Sequence, residues 1–222
     1  MPPLRGSFRR SSDFRASLLM ADDRGTWIHQ SFQLALVTAG FHFIQFLASA
    51  ILWTVNRSAS LAVFGLDAIV SAFAALVLAV RIRRSFETLG DNWRSRAAAY
   101  GYLGGAVIAL VLSVLKFWAP PWSDGAFLGV ALAAVSMLVI PIVGSYMKTL
   151  AVELRSQPLK AAAIFTFGNS YLSMVLLVAM LINYGMGFRW GDPIGGLVMV
   201  PFLAQKGLQI LIDEGKQEYV EE

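Results

Sequence analysis

Six long apolar runs dominate this chain, and each is long enough to be a membrane span. They occupy roughly residues 32–55, 61–82, 97–118, 127–147, 161–188 and 193–212. At about 1.5 Å per residue, every run crosses a hydrocarbon core of about 30 Å. In that medium the backbone must satisfy its own hydrogen bonds, and a helix does so within one segment. Composition agrees: 57% of residues are hydrophobic and 14% charged, where a soluble domain carries about 25% charged residues. The expected fold is therefore an all-α integral membrane protein. It divides into a polar, Arg-rich N-terminal tail (1–30), a six-helix transmembrane domain (31–212) and a short acidic C-terminal tail (213–222). The first thirty residues hold no apolar core and no small-residue cleavage site, so they do not read as a secretory signal peptide. Met20 reads as a second start, which would make residues 1–19 an extension.

Orientation follows from the basic residues. Fifteen of the 18 Lys and Arg fall on one side of the spans, and only Arg57, Lys116 and Arg189 on the other. By the positive-inside rule both termini are cytoplasmic. Trp53, Trp118, Trp122 and Trp190 fall near the outer ends, as an interfacial aromatic belt does. The net charge of +4 is thus a topology signal facing the lipid bilayer, not a nucleic-acid footprint. The absence of cysteine removes disulfides, thiolate metal sites and Cys nucleophiles. No Ser/His/Asp set, HExxH or paired acids point to an enzyme.

Asp67 is the acid inside an apolar run, and an ionisable group in hydrocarbon is a functional-site candidate by default. Counted from Arg57, it lies about 15 Å deep. Asn169, counted from Lys160, lies about 13 Å from the opposite face, and His42, counted from Ser31, about 16 Å. All three fall near the midplane, where transporter sites are usually found. Ser71 follows Asp67 by four residues and shares its helix face. His42 reads first as a neutral imidazole hydrogen-bonded to a neighbour and second as a metal ligand. Asn169 reads first as an interhelical hydrogen bonder. Lys206 lies near the cytoplasmic end of helix six and is expected to snorkel away from Asp67. In Gly101-Tyr-Leu-Gly-Gly105, small residues four apart permit close helix contact. Asp192-Pro193 is expected to cap and open helix six, and Pro201 to kink it.

Helix two, Ser58-Ala-Ser-Leu-Ala-Val-Phe-Gly-Leu-Asp67-Ala-Ile-Val70, resembles helix two of the cation diffusion facilitator (cation efflux) family. Gly129-Val-Ala-Leu-Ala-Ala-Val-Ser136-Met-Leu-Val-Ile-Pro141, Leu154-Arg-Ser156, Tyr171-Leu-Ser173 and Trp190-Gly-Asp192-Pro193 extend the likeness over residues 30–212. The chain is similar to the small bacterial branch that lacks the large cytoplasmic C-terminal domain, which implies a multi-pass protein of the bacterial inner (cell) membrane. The resemblance implies a cation-efflux-like bundle, commonly dimeric, exporting zinc or related divalent cations in exchange for protons. It also implies a transport site of two i, i+4 pairs on helices two and five. Here those positions hold Asp67 and Ser71, then Phe165 and Asn169, and the acid expected ahead of the second pair is Ala162. Zinc prefers about four nitrogen, sulfur or anionic oxygen ligands, and this set has one carboxylate.

Two functions follow. The first is a divergent divalent-cation transporter, zinc-like and proton-coupled, with Asp67 as ligand, Ser71 and Asn169 as auxiliary donors and His42 as a weaker one. No cofactor is called for, and zinc enters as the transported ion. The second is a transport-dead relative serving as a structural or accessory subunit of a larger membrane complex. The expected partners are the bilayer, a divalent cation, protons, and either a second copy or other membrane subunits.

Overall fold

A computed structural model describes residues 7–84, 92–118 and 126–218. Six helices account for nearly all of them: α1 (Ser7–Asn56), α2 (Ala59–Arg83), α3 (Asn92–Lys116), α4 (Ala126–Glu153), α5 (Gln157–Met186) and α6 (Gly191–Glu218). Each contains a stretch long and apolar enough to cross a membrane, as the six runs require. Two elements outrun their apolar cores. Helix α1 starts at Ser7, so residues 7–30 of the arginine-rich tail continue the first span as helix, and α6 runs on to Glu218. Of the basic and aromatic markers, Arg5 and Trp122 lie outside the described residues.

Helix α2 is the hub. It packs against α1, α3, α5 and α6, while α4 leans on α5 and α1. Its sequence allows this, because small residues (Ala59, Ser60, Ala68, Ser71, Ala72, Ala75, Ala79) are buried along it. The outward faces of the bundle expose large apolar side chains such as Ile44, Leu138 and Ile142, the surface that lipid covers. Two apolar clusters fill the interior. One gathers Leu61, Phe64, Leu172, Leu176, Met199 and Leu203. The other gathers Leu78, Ile82, Met147, Leu150 and Leu159. On α2 the first lies before Asp67 and the second after Ser71, so the polar residues of the midplane form a layer between two apolar ones.

Glycines set how closely the helices meet. A Cβ on Gly101 would stand 3.2 Å from Val70 of α2, and one on Gly105 would stand 3.5 Å from Leu203 of α6. The two ends of the small-residue stretch in α3 therefore face different neighbours. Gly207 also meets α3 closely, since its Cβ would lie 2.8 Å from the Ala99 carbonyl. This draws α6, and with it Lys206, into the bundle.

The short links are explained by local chemistry. Arg57 turns with φ 51° between α1 and α2, and Ser58 caps α2 by accepting from the Leu61 N–H at 3.1 Å. Ser156 caps α5 in the same way, Pro158 sits in its first turn, and Gly187 ends it with φ 64°. Asp192 departs from the expected role. It lies inside the first turn of α6 and spends its carboxylate on α2. Its Oδ1 accepts from Ser58 Oγ at 2.7 Å, Ser60 N at 3.0 Å and Ser60 Oγ at 2.5 Å, and its Oδ2 accepts from Ala59 N at 2.8 Å. A carboxylate on orphan N–H groups at the positive end of a helix is favourable. Asp192 therefore staples two helices rather than capping its own. Pro201 lies within α6, which continues past it.

Replacing a helix cap by Ala costs about 0.5–2 kcal/mol, and Asp192 serves several donors at once. Asp192→Ala is expected to lower the melting temperature in detergent more than Ser58→Ala does. Equal or smaller loss in a thermal unfolding assay would refute the staple.

Candidate functional site

The polar layer is a single connected hydrogen-bonded network that draws a side chain from every helix. It begins on α4, where Ser136 Oγ donates to the Leu132 carbonyl at 2.8 Å and accepts from Gln45 Nε2 of α1 at 2.8 Å. With its amide nitrogen so used, Gln45 turns Oε1 to His42 Nδ1 at 2.9 Å. An amide oxygen only accepts, so Nδ1 carries the proton and Nε2 is left as an acceptor. Asn169 of α5 donates to that Nε2 at 3.2 Å and also to Ser71 Oγ of α2 at 3.1 Å. Ser71 in turn shares a hydrogen bond of 2.9 Å with the Tyr102 hydroxyl of α3. His42, Ser71, Asn169 and Tyr102 are all buried.

Lys206 of α6 completes the network. Its Nζ lies 2.6 Å from Asp67 Oδ1 as a buried salt bridge, donates also to Asn169 Oδ1, and stands 5.3 Å from the centre of the Tyr102 ring. The expectation that Lys206 would snorkel is corrected here, for two physical reasons. Side chains on a helix tilt toward its N-terminus. On α6 that direction leads from Lys206 back toward the polar layer, away from the nearer end of the bundle. Gly168, beside Asn169, leaves room for the stem: a Cβ there would stand 3.5 Å from Lys206 Cε. Asp67 and Lys206 are 2% and 5% exposed. At that depth each charge needs the other, because an ion in hydrocarbon is costly and a paired one much less so.

The sequence-predicted residues meet as follows. Ser71, Asn169 and His42 are in direct contact through Asn169. Asp67 joins them through Lys206, which touches both carboxylate and amide. Lys206, Tyr102 and Gln45 were missed as site residues. Gln45 had a signal, for it follows His42 by three residues and shares its face. Tyr102 sits within the glycine stretch that positions it. Among the described residues, no group of three or more His, Cys, Asp or Glu could hold a metal ion. The arrangement does hold one cation: an ammonium gripped by a carboxylate oxygen, an amide oxygen and an aromatic face.

A cavity of about 520 Å³ opens on this layer. Its floor is His42, Ser71, Tyr102 and Asn169, and it extends along α2 to Arg81, beside the ends of α3 and α5 that carry Ser95 and Lys160.

Six membrane helices around a buried cation-holding carboxylate define a multi-pass protein built to handle a positive charge at its centre. The model of the cation efflux transmembrane domain matches residues 96–217, more than half of the chain. The chain belongs to the cation efflux family and is a membrane protein of the cation-transporter kind. The match spans Asn169 and Lys206 and begins after Asp67. No curated protein matches it.

Removing one partner of a buried ion pair costs about 3–5 kcal/mol. Lys206→Met is expected to destabilise the folded protein by that order, and adding Asp67→Asn to recover most of the loss. A double-mutant cycle on unfolding in mixed micelles measures the coupling. Additive effects of the two changes would contradict the pair.

Proposed function

We propose that this protein is a divergent, proton-coupled transporter of a divalent, zinc-like cation, running outward from the cytoplasm, and that Asp67 is the residue the ion must pass. One observation carries this reading: Asp67 and Asn169 already hold a cation, the Lys206 ammonium, at the crossing of α2, α5 and α6. A transported ion would take turns with that ammonium. When the ion binds Asp67 Oδ1 and Asn169 Oδ1, Lys206 withdraws. When the ion leaves, Lys206 returns and the carboxylate is never left bare. Ser71 and Tyr102 supply hydroxyl oxygens beside the site, and His42 supplies an imidazole nitrogen once Asn169 releases it. These donors are mostly neutral oxygens, which suit hard ions better than zinc. Manganese therefore belongs in the test beside zinc, the ion the family resemblance implies. The charge bias of the loops supports cytoplasmic termini, with the cavity facing the cytoplasm.

A second reading is favoured by the same ion pair together with the lack of a metal-ligand group among the described residues. With Lys206 as a permanent occupant the bundle would be transport-dead, an accessory subunit or dimer partner in a membrane complex. Zinc and manganese uptake into proteoliposomes under a pH gradient separates the two. Wild-type uptake that falls at least tenfold in folded Asp67→Ala is the expected result. No uptake by well-folded wild type would overturn transport and favour the accessory role, to be pursued through the proteins that co-purify.

A further inference from the structure

Gln45 of α1 and Ser136 of α4 belong to the polar layer but lie outside the grip on the ammonium, and the exchange of ion for lysine does not use them. They are 3% and 0% exposed. Polar side chains buried at this depth are costly unless they are hydrogen-bonded. Both are directed at one target, the imidazole of His42: Gln45 touches it, and Ser136 holds Gln45.

The direction of every bond in this chain is fixed from both ends. Lys206 carries only donors, so Asn169 turns Oδ1 to it and is left with its amide N–H groups for His42 Nε2. At the far end the Leu132 carbonyl only accepts. The Ser136 hydroxyl donates to it and accepts from Gln45 Nε2, which leaves Gln45 Oε1 for the Nδ1–H of His42. Five hydrogen bonds therefore point the same way, from ammonium to carbonyl, and bonds so aligned polarise one another. Either end alone keeps the lone pair of His42 on Nε2. The two ends differ when an ion arrives. Asn169 must release Nε2 for the ion to reach it, whereas Gln45 holds the opposite nitrogen of the ring and stays.

We infer that Gln45, held by Ser136, is a positioning residue of the cation site: it keeps His42 in the Nδ1–H tautomer, so that Nε2 serves as the nitrogen ligand of the transported ion. A metal-binding imidazole characteristically donates its other N–H to a fixed acceptor, which sets both tautomer and ring orientation. Nitrogen is what the oxygen donors of α2 and α5 lack. Phe165 stands where the family resemblance implies a ligand and has no lone pair to give, and α1 supplies the donor instead. An imidazole favours zinc and similar transition ions over magnesium, which keeps to oxygen ligands. The ligand role rests on the proposed transport; the tautomer does not.

The test is ¹⁵N NMR of the full chain in bilayers with labelled histidine. The chain has two histidines, and a His29→Gln background leaves His42 as the one signal. In that background Nδ1 is expected to be protonated and Nε2 bare. Asn169→Ala opens one end of the lock and is expected to leave this form unchanged, whereas Asn169→Ala with Gln45→Met is expected to give a mixture of tautomers. Added zinc is expected to shift the Nε2 resonance and leave Nδ1 protonated, and magnesium to shift neither. Gln45→Met alone, which serves if the double variant does not fold, is expected to weaken the zinc response about tenfold. Gln33→Met, which neighbours His29 rather than His42, should leave tautomer and zinc response unchanged. A bare Nδ1 before substitution, a tautomer indifferent to the double substitution, or a zinc response indifferent to Gln45→Met would overturn the inference. Zinc uptake by folded protein whose Nε2 resonance zinc does not move would overturn the ligand role and leave transport standing. A zinc shift at Nε2 without uptake would uphold the ligand role and overturn transport.

Discussion

A carboxylate and an ammonium meet at 2.6 Å in the middle of a bundle whose outer faces are built for hydrocarbon. Neither charge is tolerable there alone, and the helices are arranged so that neither is alone. Helix α2 carries Asp67 at the hub, α6 delivers Lys206 along the close α3–α6 contact at Gly207, and Gly168 of α5 leaves space for the lysine stem. From the pair the remaining hydrogen bonds run outward through Asn169 to His42 and Gln45, and through Ser71 to Tyr102. Apolar packing alone discriminates poorly among helix neighbours in a membrane, since lipid tails are as apolar as Leu. A polar layer that requires one residue from each helix fixes the register of all of them.

The architecture was legible in the sequence because it rests on length and hydropathy. Six runs long enough to span, with basic residues gathered on one side, leave few alternatives. Midplane depth was legible too. Counting residues from the flanking charges put His42, Asp67 and Asn169 at one level, and His42 and Asn169 are in contact. What stayed hidden were features that depend on direction rather than depth. Lys206 counts as near an end of its helix, yet its side chain points inward because of the polarity of α6. Asp192 reads as the cap of its own helix, yet its carboxylate serves the start of α2, more than 130 residues away in the chain. Tyr102 is one aromatic among many until the Gly101 and Gly105 contacts place it beside α2 and α6. Each of these needs a helix rotation, which apolar periodicity does not supply when nearly every face is apolar.

The ion pair also shapes how the family relationship should be understood. The chain has the cation efflux fold, and one of the four positions implied for metal carries a strong ligand. What replaces the missing ligands is a lysine. A transporter must bind its ion well enough to capture it and weakly enough to release it. A tethered ammonium at the carboxylate lowers the affinity for any competing cation without leaving the charge exposed when the site is vacated. The same lysine held permanently would turn the site into a structural cross-link between α2 and α6. Both roles depend on the ammonium lying on Asp67.

The most direct measurement is the distance itself, in a bilayer. Solid-state NMR on protein carrying ¹⁵N-lysine and ¹³C-aspartate, with Lys206→Met as the assignment control, reports whether Lys206 Nζ dephases the Asp67 carboxyl carbon. The account predicts strong dephasing that disappears in Lys206→Met, as an N–O separation of 2.6 Å requires. A lysine signal that shows no coupling to Asp67 and instead contacts lipid headgroups would place the ammonium at the membrane surface and contradict the central claim.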